Sequence, residues 1–315
     1  MATVAAQDER VRASLRGRAG RRRKERVVGG VLAGASIVSI VISVAIVLAL
    51  VFRTANFLAH VEWSSMWSGI WRPRQLQFDL LALFLGSLVV TGIAMIVATP
   101  LGLGAAMYLS EYAKPRARRI LKPVLETLAG IPSIVIGFFA FTLINPAIVK
   151  GIFGATSPFT MMAAGIGVGI LTIPLIASVA EDAMYAVPGS LREAAYGIGA
   201  RRRTVSLRVV FPAAISGIVA ALILGISRAL GETMVVAIAA GATGNATRTI
   251  NPLVGNQTIT AAIASLAIGS DQVKTTGQGL NAFEVLYLLG LILFVFTLLL
   301  NVVSERFVRR LRRFH

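Results

Sequence analysis

Arg228 and Glu232 stand four residues apart inside an otherwise apolar run of a 315-residue chain. One helical turn separates residues so spaced, so on a continuous helix they share a face and the carboxylate comes within reach of the guanidinium. Arginine keeps its charge at any accessible pH, and its planar fork donates two parallel hydrogen bonds to a tetrahedral oxyanion. Gly231 between them leaves room for another backbone or a small ligand. Arg228 falls about 16 residues beyond Pro212, roughly 24 Å along a helix, too far to reach the near membrane surface. A charge at that depth costs from about 2.5–3.5 kcal/mol upward, so it marks a functional site by default. Two readings stay open. The pair is a self-neutralising structural lock between helices, or it is an anion site. A carboxylate beside the guanidinium favours an anion that carries protons. Hydrogenphosphate brings O–H donors, whereas sulfate meets only like-charge repulsion.

The elements that position these residues follow from composition. Apolar residues make up 56% of the chain and charged residues only 14%, against about 25% charged in an average soluble domain. The deficit is concentrated in long uncharged runs, so the chain is all-α and polytopic in a membrane. Six spans are predicted, at 27–52, 79–109, 120–148, 159–184, 213–240 and 283–307, the third interrupted by Gly130-Ile131-Pro132-Ser133. Pro100 predicts a kink in the second. The absence of cysteine excludes disulfides, thiolate metal sites and a cysteine nucleophile. His60 and His315 are isolated, which argues against a histidine metal site.

Residues 1–26 form a basic tail with nine Lys/Arg, and 27–310 the membrane domain. The tail reads as solvated and unstructured up to the membrane, followed by an uncleaved first helix. Contact with a membrane surface accounts for its charge, so no nucleic-acid partner is expected. Basic residues set the orientation. Segments 1–26, 111–122, 181–212 and 306–313 hold nine, five, five and five. The opposite side has Arg53, Arg72, Arg74, Lys150, Arg248 and Lys274. That imbalance puts both termini in the cytoplasm. Trp63, Trp67 and Trp71, at four-residue spacing, are expected on one face of a short interfacial helix. Asp79, Glu111, Glu126, Glu181, Asp182 and Glu284 lie near span ends, where water is expected to reach them. The polar outer loop 241–281 is the first expected contact for a protein partner on the outer side, with 53–78 second, and is expected to be accessible to crosslinking at Asn256 and Asp271.

The cytoplasmic loop 188–212 carries the most specific pattern. Pro188-Gly189 stops the fourth span, and Ser190-Leu191-Arg192-Glu193 has the form of a capping box. A short helix follows, ending near Gly199, with Ala194 and Ala195 leaving one side smooth; Arg201, Arg202 and Arg203 come next. Taken alone, this is an ordinary capped basic loop. Glu193-Ala194-Ala195, Gly199 and Val209-Val210-Phe211-Pro212 together resemble the EAA loop of bacterial ABC import permeases, with Val209 and Phe211 departing from the usual Ile-x-Leu-Pro ending. The stretch Arg228-Ala-Leu-Gly231-Glu232-Thr233-Met234 resembles the fifth-span signature of the permeases of Pst-type phosphate importers, closest to the C-type subunit. Pro100-Leu-Gly-Leu-Gly, Tyr108-Leu-Ser-Glu111-Tyr112 and Glu126-Thr-Leu-Ala-Gly130-Ile-Pro132-Ser133 agree with it, over about 79–307.

The resemblance implies a type I ABC importer permease fold in the bacterial inner membrane, and inorganic phosphate as cargo. It places Arg228, Gly231, Glu232 and Thr233 on the substrate pathway, and Glu193, Ala194, Ala195, Gly199, Arg192 and Arg201 at the coupling interface. It implies a heterodimer with an A-type permease, a cytoplasmic ATPase dimer holding ATP and Mg, and an extracytoplasmic phosphate-binding protein. The chain contains no G-x-x-x-x-G-K-[ST] sequence, so it is not itself the ATPase and no bound cofactor is expected. Two rivals stand beside this reading. One is an ABC permease for sulfate, molybdate or an organic solute. The other is an ion-gradient-driven carrier or channel using Arg228 and Glu232 as a proton relay.

Overall fold

The computed structural model describes residues 19–242, 244–269 and 282–311, and they are helical almost throughout. Residues 1–18 of the basic tail, Asp271 and Lys274 of the loop 241–281, and Arg312, Arg313 and His315 lie outside the described residues. Contacts divide the chain into two units, 1–52 and 53–315. The first contains most of α1 (Ala19–His60), whose helix already includes Arg21 to Arg26. Two of its three serines need no water, because Ser36 and Ser43 donate to the carbonyls of Leu32 and Ser39 at 2.9 Å.

The second unit is a helical bundle. Its long elements are α2 (Leu80–Met107, prolonged by a wide π turn, Tyr108–Tyr112), α3 (Pro115–Leu128) and α4 (Ser133–Phe139, running on through Ala140–Lys150 and Gly151–Phe153). Then come α5 (Met161–Tyr185), α6 (Gly189–Gly197), α7 (Arg202–Val205, continued to Ala213) and α8 (Ile215–Leu230). The last are α9 (Met234–Ala239), α10 (Ile259–Ile268) and α11 (Val285–Leu311). Among the described residues five helices are long and apolar enough to cross a membrane. A sixth span results if Arg202–Ala213 and Ile215–Leu230, bent by 72°, count as one.

The expected third span is two elements. Pro132 lacks the N–H that would carry α3 onward, and α3 is a separate amphipathic helix with no buried residue, while Ser133–Phe153 crosses. The second span runs unbroken through Pro100 as far as Met107.

α2 and α5 form the centre of the bundle. Lipid is as apolar as leucine, so helices in a membrane associate through close contact of small residues. Ala94, Ala98, Gly102 and Ala106 repeat every four residues along α2 and are buried. A Cβ on Gly165 of α5 would stand 2.6 Å from Cβ of Ile93, and one on Gly169 2.9 Å from Cβ of Val97. The two backbones are therefore in near contact.

At the end of the bundle beyond the start of α2, a small antiparallel sheet joins β1 (Ile70–Arg72) to β2 (Gln77–Phe78) and β3 (Ala246–Thr247). The tryptophans do not share a helix face. Trp63 and Trp67 are exposed on a single 3-10 turn, whereas Trp71 lies in β1, fully buried against Phe78 with ring centroids 6.1 Å apart. A bend at Gly69, φ +81°, separates them.

Asp79 secures this end. Its carboxylate is wholly buried and accepts from the N–H groups of Gly69 and Ala82, both at 2.8 Å, and from Arg248 at 2.5 Å. Burial pushes its pKa up, but the Arg248 guanidinium and the two backbone donors outweigh burial and hold the carboxyl below its usual range. A carboxyl depressed in the folded state contributes stability above its unfolded value, and that contribution fades as pH falls through the folded value.

Two predictions follow from this packing. In detergent, Gly165→Val lowers stability by about 1–3 kcal/mol through overpacking against Ile93, read as a fall in thermal midpoint; Gly104→Ala, with open space around it, leaves the midpoint in place. Acidification below about pH 4 destabilises the protein, and Asp79→Asn removes part of that slope; equal slopes in the two proteins would refute the Asp79 assignment.

Candidate functional site: a broken helix and a clasped loop

The expected fifth span, 213–240, is not continuous. α8 stops at Leu230, Gly231 to Thr233 form a break, and α9 resumes at Met234. The Gly231 N–H closes the last turn of α8 on Ser227 O at 3.1 Å. Glu232 then turns its carboxylate to the start of α9, where Oε1 accepts from Val235 N at 3.5 Å. Its carbonyl accepts from Thr260 Oγ1 at 2.8 Å, and Thr233 Oγ1 donates to Gly231 O at 3.3 Å.

The expected pair of Arg228 and Glu232 is present but loose. Nη2 stands 3.9 Å from Oε2, with the arginine side chain 52% exposed and the glutamate 6%. The spacing is as anticipated, but the break between them redirects the carboxylate toward α9. Arg228 is therefore a guanidinium with donors to spare, beside a buried carboxylate.

Neighbouring glycines seat α9. A Cβ on Gly137 of α4 would lie 3.0 Å from Val235 Cα, and one on Gly167 of α5 3.1 Å from Val235 Cγ1. From the other side α10 arrives, its N-terminus closed by Thr258, which accepts from Ala261 N at 3.2 Å, and by Ser87, which accepts from Ile259 N at 3.0 Å. Sequence reasoning missed Thr258, Thr260 and Ser87. The signal was present, since a threonine directly before an apolar run is a helix N-cap. The loop 241–281 thus folds in part as a helix, α10. Asn256, expected to be accessible, is buried, its side chain bonded to Thr247 N and O at 3.1 and 3.0 Å.

The loop 188–212 contains the helix anticipated for it, α6, and Gly199 takes the left-handed conformation, φ +81°. The capping box does not form. Pro188 occupies the cap position, and neither Ser190 nor Glu193 caps the helix. Glu193, Ala194, Gly199 and Arg201 are exposed, and Ile198 beside them is 87% exposed. Ala195 points the other way, into an apolar cluster with Ala106, Met184, Val205 and Ile218.

Arg192 also turns inward. It donates to both oxygens of Glu111 at 2.9 and 3.4 Å, to Met184 O at 2.8 Å and to Val187 O at 2.5 Å. Arg202 adds a bond to Glu111 O and lies 5.1 Å from the centroid of the Tyr112 ring. Glu111 therefore clasps both elements to the end of α2, α6 through its carboxylate and α7 through its backbone carbonyl, while Arg192 also satisfies carbonyls in the last turn of α5 and just beyond it. The carboxylates expected to be wet are mostly dry. Asp79, Glu111, Glu181 and Glu284 are buried and paired, Glu181 with Arg118 and Lys122 and Glu284 with Arg53 and Asn56. Glu126 and Asp182 remain exposed.

Comparison with known proteins identifies the family and the fold. Residues 98–313 match the family described as the binding-protein-dependent transport system inner membrane component. The chain is 34% identical over 266 residues to the phosphate transport system permease protein PstC of Mesorhizobium japonicum, covering 79% of each. It is 32% identical over 263 residues to PstC 1 of Mycobacterium tuberculosis, 78% of this chain and 76% of that one. Against the probable ABC transporter permease YqgH of Bacillus subtilis it is 32% identical over 242 residues, 75% of each. In fold it resembles a chain of a bacterial alginate ABC transporter solved with an alginate pentasaccharide-bound periplasmic protein. That match has TM-score 0.63 at 12% identity, over 91% of this chain and 96% of the other. A chain of an amino acid ABC transporter solved with histidines superposes with TM-score 0.51 at 19% identity, over 81% and 98%. The chain belongs to the inner-membrane permeases of binding-protein-dependent transport systems, and within them to the PstC-type proteins.

Proposed function

We infer that the chain is the C-type permease subunit of an ATP-driven importer that brings inorganic phosphate into the cell. The cargo is the one in the names of its PstC relatives. The observation that carries the reading is the state of Arg228. The other buried carboxylates have partners at 2.5–2.9 Å, but the contact between Arg228 and Glu232 is 3.9 Å and leaves the guanidinium half exposed. A charge that deep in a span, with donors to spare, suits a passing oxyanion. Glu232 at its side accepts the O–H of hydrogenphosphate and repels sulfate. Thr233 and Gly231 line the same break.

The pathway is completed by a second, A-type permease, which presents its own helix to the exposed side of Arg228. Both termini are cytoplasmic, by the excess of basic residues on that side. The exposed patch of Glu193, Ala194, Ile198, Gly199 and Arg201 docks on an ATPase dimer that binds ATP and Mg. Arg192 and Ala195, turned inward, carry the movement into the bundle rather than touching the ATPase. An extracytoplasmic phosphate-binding protein delivers cargo to the opposite end. The chain itself is a transport subunit, with hydrolysis on its partner.

In proteoliposomes of the complete importer, Arg228→Gln lowers ATP-driven uptake of labelled phosphate roughly a hundredfold, the loss of two charge-assisted hydrogen bonds. Glu232→Gln lets sulfate compete. Wild-type rates in the Arg228 variant, or uptake that follows a proton gradient without ATP, would sink the proposal. Glu111→Gln weakens the clasp on Arg192 and leaves the exposed docking patch alone. ATP hydrolysis should then continue while phosphate moved per ATP falls several-fold; an unchanged ratio would show that the clasp has no part in coupling.

A further inference from the structure

The connections of α3 determine where it lies. Ala113 and Lys114 join it to the π turn that ends the second span, and residues 129–132 join it to the start of the third. A helix of 14 residues, ~21 Å long, tied so closely to the same-side ends of two spans lies along the surface where they leave the hydrocarbon.

Its two sides differ in kind. Ile120, Leu121, Val124 and Leu128 fall in one sector and are all exposed. Such a face on an interfacial helix sits among acyl chains, with the polar face in the headgroup layer. Arg118, Arg119 and Lys122 occupy the opposite sector. Arg118 and Lys122 reach the fully buried Glu181, and Lys122 also binds Asp182 at 2.5 Å. The Arg118 guanidinium lies 3.7 Å from the centroid of the Tyr185 ring. Burial works to lower the pKa of Lys122, but its bonds to Asp182 and Glu181 outweigh burial and raise it, so the ammonium stays charged. Arg119 is exposed and has no ion-pair or hydrogen-bond partner among the described residues. Beside these side chains opens a cleft of about 660 Å³, lined by Leu109, Ser110, Arg118, Arg119, Lys122 and Tyr185.

We propose that this cleft binds the headgroup of an anionic phospholipid from the leaflet in which α3 lies, with Arg119 as the deciding contact. Arg118 and Lys122 are pre-oriented by Glu181, and their remaining donors complete a seat for a phosphodiester; the Ser110 hydroxyl donates to Glu111 at 2.9 Å and takes no part. Leu109 and the apolar wall accommodate the glycerol and first acyl carbons. Glu126 on the rim and the acidic pair behind reduce the net charge, so the uncompensated cation decides occupancy. Free inorganic phosphate has the same oxyanion chemistry but gains nothing from the apolar wall or from the lipid-seated face of α3, which favours the lipid. This site is separate from Arg228 and does not depend on which solute is carried.

The test uses a phosphatidylglycerol with a photoactivatable group near its headgroup, diluted into phosphatidylcholine vesicles containing the complete importer. The expected label falls on the peptides spanning 109–128. Arg119→Ala reduces it about fivefold, the worth of one basic residue near an anionic surface, while label on α11 is unchanged. The matched phosphatidylcholine probe does not mark 109–128 above background, and excess inorganic phosphate does not displace the label. Equal marking by both probes, indifference to Arg119→Ala, displacement by free phosphate, or a segment unmarked because a partner protein covers it would each overturn the proposal.

Discussion

An ionised carboxylate taken out of water has to meet a cation or several donors, and in this chain that requirement secures both ends of the bundle. Asp79 is closed by Arg248, Glu284 by Asn56 and Arg53, Glu111 by Arg192, and Glu181 by Lys122 and Arg118. Removing one member of such a buried pair leaves an uncompensated charge and costs several kcal/mol, on the order of 3–5 in fully buried cases. Each pair joins segments far apart in sequence, 169 residues for Asp79 and Arg248 and 81 for Glu111 and Arg192. Between these ends the bundle is held by contact instead, through the small-residue seam of α2 and α5. Polar staples at the ends and close packing in the middle suit a medium that offers neither water nor a hydrophobic drive between helices.

Against that rule Arg228 is an exception. It could have been neutralised by Glu232 had the helix continued. Instead the chain breaks at Gly231, and the carboxylate is drawn toward the first N–H groups of α9. Gly137 and Gly167 admit α9 to close contact, and Thr260 holds the Glu232 carbonyl. Three elements thus maintain the break. What they preserve is an arginine partly free of its neighbour, as the proposed recognition of an incoming anion requires.

Much of the fold could be read in the sequence because its signals are local. Long uncharged runs gave the spans, and Gly199 the end of α6. The spacing of Arg228 and Glu232 placed them together. The failures were non-local or depended on competition between local options. Ser190 and Glu193 match a capping box, but Pro188 already has the extended backbone of a cap, so the helix starts one residue before Ser190. Trp71 keeps the tryptophan spacing, yet the turn at Gly69 sends it into a strand and the core. Glu111 and Glu181 were assigned to water because they stand near span ends. Their partners, Arg192, Arg118 and Lys122, are found only once α3 and α6 fold back, and no periodicity announces that.

The clasp at Glu111 and the break at Gly231 then acquire a mechanical relation. Arg192 joins α6 to the last turn of α2 by two bonds and to the end of α5 by two more, and α2 and α5 are in near-backbone contact along their length. On the coupling proposed above, a push on α6 would therefore pass to the paired helices through Arg192. α8 is joined to the loop side through a 72° bend at Ala213 and Ile215, and at its other end it is interrupted beside Arg228. On the same coupling, a closely packed pair beside a helix bent at one end and broken at the other would yield first at the break, beside the 3.9 Å contact of Arg228 and Glu232. The loosely paired charge thus sits beside the break between α8 and α9.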